Sequence, residues 1–154
     1  MFSRAKVTYL SFFSIFTTEI IVKIWRLFLN PGDCPGINAT IRGVCKTAIN
    51  YYGMEVVGIH SGFQGLLTKD VESITDKSLS GLLNLGGTML GTSREKPFKK
   101  GGVVSDVDKP SLILQNIHEI GLDCVVCIGG NGTQKTAAKF AAMGVNIVSV
   151  PKTI

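Results

Sequence analysis

This sequence predicts an α/β fold built on a doubly wound parallel sheet, and three observations predict it. Short apolar runs alternate with longer stretches of helical period from Ile24 onward. Glycine-rich or polar turns follow several of the runs instead of interrupting them. The composition, 45% hydrophobic and 18% charged over 154 residues, suits one domain whose sheet is covered on both faces.

Each element follows from local pattern. Ile24–Leu29 reads as the first strand, with Arg26 awkward at its middle. Ile37, Ile41, Val44, Cys45, Ala48, Ile49 and Tyr52 recur at helical spacing, and Gly53 is placed to end that helix. Glu55–His60 reads as a second strand. Asp76 is placed to cap a helix through Leu85, which Gly86 and Gly87 would stop. Another helix is predicted over Lys109–Ile120, with Pro110 tolerated in its first turn and Gly121 beyond its end. Cys124–Ile128 reads as a buried strand, Thr133–Met143 as an alanine-rich helix and Asn146–Val150 as a strand. Ligands bind at the carboxyl ends of strands in an open parallel sheet. The turns Gly32-Asp33, Gly129–Thr133 and Lys152-Thr153 should therefore gather on one edge.

Charge and cysteines exclude several function classes. Residues 1–30 hold Arg4, Lys6, Lys23 and Arg26 against Glu19, so +3 of the net +5 sits there and +2 elsewhere. Apart from Arg94–Lys100 the body has no basic stripe, which argues against nucleic acid. The uncharged stretch Val7–Thr18 is 12 residues long, too short for a span of about 20, so a membrane role is not expected. Residues 1–30 are read as an atypical leader and 31–154 as the domain. Cys124 and Cys127 form a C-x-x-C inside an apolar run, where a strand sends them to opposite faces. With Cys34 and Cys45 they read as free thiols, which suits a reducing, cytoplasmic location.

Two constellations carry chemistry. Gly129-Gly130-Asn131-Gly132-Thr133 joins a strand to a helix start, where backbone N–H groups and the helix dipole attract phosphate oxygens. It has neither Walker A nor dinucleotide spacing. Arg94 lies in Gly91-Thr92-Ser93-Arg94, just after Gly86-Gly87-Thr88 and before Lys96, Lys99 and Lys100. An arginine on such a loop suits charge developing on a transferring phosphoryl group.

Six segments in order resemble the phosphofructokinases. These are Gly32-Asp33-Cys34-Pro35-Gly36-Ile37-Asn38-Ala39-Thr40-Ile41-Arg42-Gly43, Gly53–Ile59, Gly62–Leu66, Gly86–Arg94, Ile128–Thr133 and Val150–Ile154. The resemblance spans about residues 32–154. It implies the nucleotide-binding half of that fold, truncated, with transfer of a phosphoryl group to the 1-hydroxyl of fructose 6-phosphate. The implied donor is ATP, the implied cofactor Mg²⁺ and the implied full-length state a homo-oligomer. Gly32, Arg94, Glu95, Gly130, Asn131, Gly132 and Thr133 would line the donor site, with Arg94 also stabilising the transition state. Thr153 would meet the sugar phosphate's reacting end, a catalytic and substrate role.

The resemblance also implies where this chain departs. Gly132 leaves room for an α-phosphate where diphosphate-using relatives carry an acidic residue. Lys152 replaces a glycine usual in bacterial ATP enzymes, although one ATP-using branch pairs it with Gly132. Asn131 stands where most relatives have a metal-holding Asp, and its neutral amide is a weaker ligand for the cation. Pro31 replaces a glycine and removes an N–H. Arg42 matches an effector-site arginine, but its partner position is Lys46, which lacks the bidentate fork. The family motif continues beyond Ile154 into an Asp that activates the sugar hydroxyl, so the chain as it stands is expected to be inactive. The competing readings are a diphosphate-dependent enzyme, an inactive donor-binding fragment, another kinase with a Gly-Gly-x-Gly-Thr loop (NAD or diacylglycerol kinase), or a membrane-attached fragment.

Overall fold

The computed structural model describes residues 24–29 as backbone, and residues 36–99 and 108–152 with side chains. Ten elements follow in chain order: β1 (Ile24–Leu29), α1 (Ile37–Tyr52), β2 (Glu55–Ile59), α2 (Phe63–Thr68), β3 (Val71–Ile74), a 3-10 turn (Leu82–Asn84), α3 (Lys109–Glu119), β4 (Cys124–Gly129), α4 (Asn131–Ala142) and β5 (Ile147–Pro151). They form one five-stranded sheet of order β3-β2-β1-β4-β5. β1 runs parallel to β2 and β4, and β4 runs parallel to β5. The edge strand β3 is antiparallel to β2, pairing Val56 with Ile74 and Ile59 with Val71.

Alternation along the strands sorts the core into two layers. Val126 and Ile128 of β4 meet α1 through Ile37, Ile41, Cys45 and Ala48, together with Leu79, Leu82 and Leu90. Val125 and Cys127 face the other way, into Phe63 and Leu66 of α2, Ile113 and Ile117 of α3, and Ala137 and Phe140 of α4. Phe140 stacks on Phe63 at 5.7 Å between centroids. Helix α1 thus covers one face and α2, α3 and α4 the other, as a doubly wound sheet requires.

Several expectations shift. β1 keeps its predicted span Ile24–Leu29 and hydrogen-bonds to strands on both sides, so the described sheet includes residues of the stretch set apart as 1–30. No helix runs from Asp76 to Leu85. The Asp76 carboxylate accepts from Lys46 Nζ at 2.7 Å and Asn50 Nδ2 at 3.3 Å instead of capping, and only Leu82–Asn84 coil, behind Gly81 at φ 75°. α2 and β3 were not anticipated; both are short, six and four residues, and amphipathic period cannot develop over such lengths. α4 begins at Asn131, two residues early, which draws Asn131 and Gly132 into its first turn. Lys109–Glu119 and Ile37–Tyr52 match their predicted spans closely, and Gly53 ends α1 at φ 59°.

The cysteines behave as packed thiols. Burial pushes Cys45 and Cys127 up to about 12 and Cys124 to about 11, and none of the three is bridged. Among the described residues, no helix is long and apolar enough to cross a membrane.

Candidate functional site

The chain leaves β1 through α1 to β2 on one side, and leaves β4 through α4 to β5 on the other. The strand order therefore reverses between β1 and β4, with α1 and α4 on opposite faces. A crevice opens at the carboxyl ends of the strands at such a switch point.

At β4 the loop is short and tight. Gly129 closes the strand, Gly130 is extended at φ −80° and ψ −172°, and α4 starts at Asn131 without a side-chain cap. Its first-turn N–H groups have no partner one turn back, and the helix dipole adds positive potential there. Such a start takes a phosphate or carboxylate oxygen. Gly129 has to be glycine because the Thr133 side chain folds onto it: a Cβ there would lie 2.5–2.9 Å from Thr133 Oγ1, Cβ and Cγ2. Gln134 Nε2 donates to Gly129 O at 2.9 Å and Val150 O at 3.2 Å, tying the ends of β4 and β5 together.

The sequence-predicted residues of this loop fall in different places. Asn131 and Gly132 are exposed at the start of α4. A Cβ built on Gly132 meets nothing within 4 Å, so a side chain there projects into open space. Thr133 is 2% exposed and packs inward, leaving its backbone to face the crevice end of α4. Lys152 N donates to Gly129 O at 2.9 Å, and Lys152 O lies 3.8 Å from a Cβ built on Gly130, so Lys152 flanks the loop.

A second segment reaches the same edge over β2. Ser61, two residues past that strand, donates from its N–H to Leu90 O at 2.9 Å. Leu90 is fully buried and its Cδ2 would lie 2.5 Å from a Cβ at Gly58, so the glycine in β2 admits it. Gly87, Thr88, Gly91 and Thr92 line a pocket of about 240 Å³ there. The Thr88 hydroxyl is buried without a hydrogen-bond partner among the described residues. Arg94 follows on the exposed part of the segment and makes no ion pair among the described residues.

Glu95 is held differently from its neighbour. Its carboxylate pairs with Lys109 Nζ at 2.8 Å, with side chains 10% and 4% exposed. That links the base of the Arg94 turn to the first residue of α3. Around α1, Lys46 pairs with Asp76 while Arg42 lies near the same carboxylate, and hydrogen bonds from Lys46 and then Asn50 hold Asp76 below its usual range. Gly32, Pro31, Asp33, Cys34, Lys100, Thr153 and Ile154, with residues 1–23, lie outside the described residues. Among the described residues no group of three His, Cys, Asp or Glu could hold a metal ion. Asn38, Thr88, Lys109 and Gln134 were not anticipated at the site, although Asn38 lies in the Gly32–Gly43 segment and Thr88 in the Gly86–Arg94 segment that the sequence marked.

The phosphofructokinase family model matches residues 27–154. The chain belongs to the phosphofructokinase family. Among its relatives, "ATP-dependent 6-phosphofructokinase 3" of Bacteroides thetaiotaomicron is 94% identical over 123 residues, 80% of this chain and 37% of that protein. "Pyrophosphate--fructose 6-phosphate 1-phosphotransferase" of Dictyoglomus thermophilum is 42% identical over 123 residues, 80% of this chain and 34% of that protein. Phosphofructokinase from Pichia pastoris, solved in the T-state, superposes with TM-score 0.71 at 26% identity, covering 87% of this chain and 15% of that one. The pyrophosphate-dependent enzyme of Nitrosospira multiformis, at 21% identity and TM-score 0.70, shares the fold over 86% of this chain and 34% of its own. This chain thus spans about a third of the length of the curated phosphofructokinases it matches.

Proposed function

We propose that this segment of the phosphofructokinase binds the phosphoryl donor, and that the donor is ATP. The carrying observation is Gly132 in the uncapped first turn of α4, where a side chain would enter open space beside the phosphate-accepting N–H groups. A carboxylate at that position would confront the donor's α-phosphate; glycine admits it. The 94% identity to a relative named as ATP-dependent supports the same choice.

The residues act by position and charge. N–H groups of Asn131, Gly132 and Thr133 hold donor phosphate oxygens, and Lys152 flanks them with a cation. Arg94, exposed beside the Gly87–Thr92 pocket, meets the charge that grows on the phosphoryl group during transfer. Glu95, taken up by Lys109, serves the site by anchoring the Arg94 turn. Thr153 and Gly32 keep their proposed roles toward the sugar phosphate and the donor. Asn131 offers one neutral oxygen, which fits a Mg²⁺ carried mainly by donor phosphates and water. When bound, Mg²⁺ neutralises phosphate charge. Lys46 already engages Asp76, which fits loss of an effector site on α1. Because the chain spans 37% of the Bacteroides relative, transfer to fructose 6-phosphate in glycolysis is proposed for the whole cytoplasmic, oligomeric enzyme, and donor binding for this segment.

The test uses a chain extended to the relatives' full length, assayed for fructose 1,6-bisphosphate with ATP or diphosphate and Mg²⁺. ATP should support turnover, and Gly132→Asp should lower kcat/KM for ATP at least about tenfold more than for diphosphate, since like charges set together cost several kcal/mol. Equal losses with both donors would refute this account of donor choice.

A further inference from the structure

Asn38 is a buried polar residue that catalysis by the loops above does not require. It is 6% exposed in the first turn of α1, with both ends of its amide in use. Nδ2 donates to Leu85 O at 3.0 Å, and Oδ1 accepts from Met89 N at 3.1 Å. The partners fix which end is which, since a carbonyl only accepts and an N–H only donates. These contacts span 47 and 51 positions of sequence and bridge the two ends of Leu85–Met89.

What lies inside that bridge is the pocket wall. Gly86 and Gly87 are exposed and adjacent, a pair with more backbone freedom than any other two residues. Gly87 and Thr88 line the pocket of about 240 Å³, and Arg94 leaves from the same segment. Without a cross-link, ordering two glycines and their neighbours would have to be done by the ligand, which weakens binding. The amide of Asn38 fixes both ends of the stretch beforehand.

We infer that Asn38 is a positioning residue for the phosphoryl donor, acting through Leu85 and Met89 to hold the Gly86–Thr88 wall in its binding shape. The inference rests on the donor-site reading. A purely space-filling role would be met equally well by an apolar side chain of similar volume.

The experiment measures ATP affinity by calorimetry and amide exchange by mass spectrometry on the purified protein and two variants. Asn38→Leu keeps the branched shape and the number of side-chain heavy atoms and removes both bonds. Asn38→Asp keeps an acceptor for Met89 N–H and sets a carboxylate against Leu85 O. The expected result for Asn38→Leu is exchange at Met89 faster by about tenfold or more, ATP affinity lower by about tenfold, and unchanged exchange at Gly132 and Thr133. Asn38→Asp should keep Met89 protected and lose roughly threefold in affinity. ATP affinity equal to that of the unmodified protein in a folded Asn38→Leu variant would overturn the inference while leaving the donor site standing. Should Asn38→Leu not fold, unmodified affinity in Asn38→Asp would overturn it as well. An unmodified protein that binds no ATP would overturn the donor-site reading and this inference together.

Discussion

The loop Gly129–Thr133 is shaped by its own neighbours, whereas the segment Leu85–Glu95 is shaped by side chains far along the chain. In the first, a strand end, a helix start and Thr133 folded on Gly129 dictate the backbone, and Gln134 five residues on secures it. In the second, Asn38 in the first turn of α1 bridges Leu85 and Met89, and Lys109 takes Glu95 from the start of α3. Both reach the carboxyl edge of the sheet. One is held mainly by residues near it in the chain; the other is held by contacts between residues far apart in sequence.

The largest effect that could break this contrast is catalytic. In the extended chain, Arg94→Ala should lower kcat by roughly two orders of magnitude, the scale for losing one donor aimed at transition-state charge. A kcat near the unmodified value would make the assembled segment a surface turn and leave the Gly129–Thr133 loop as the sole functional part. A smaller effect sharpens the local side. Gly129→Ala puts a methyl 2.5–2.9 Å from the Thr133 side chain, so urea unfolding should show a loss of about 1–3 kcal/mol, the cost of overpacking. An unchanged midpoint would mean that Thr133 rotates away freely and the loop is not defined by that contact.

The same contrast explains what the sequence disclosed. The Gly129–Thr133 turn was legible because its parts are consecutive: an apolar run, glycines and a helical period. The parallel strands β1, β2, β4 and β5 followed from alternation, and Gly53 and Gly121 marked helix ends at φ 59° and 74°. Asp76 misled because a cap and an ion-pair partner look alike in sequence, and only the fold brings Lys46 within 2.7 Å of it. Asn38 stood in the Gly32–Gly43 segment without a role of its own, since its partners lie 47 and 51 positions away. Glu95 was assigned to the donor by resemblance, and its neighbour in space, Lys109, could not be seen from a turn rich in lysines. Thr133 was expected to line the donor site; its side chain packs inward onto Gly129, a contact between residues four apart that the motif alone did not show.

Both regions should face one donor. Amide exchange with and without saturating ATP tests it on the protein itself, without turnover. The prediction is slowed exchange in two separated stretches, Gly86–Arg94 and Gly130–Gln134, with little change on α2 and β3. Slowing in only one of the two stretches, or in neither, would contradict it.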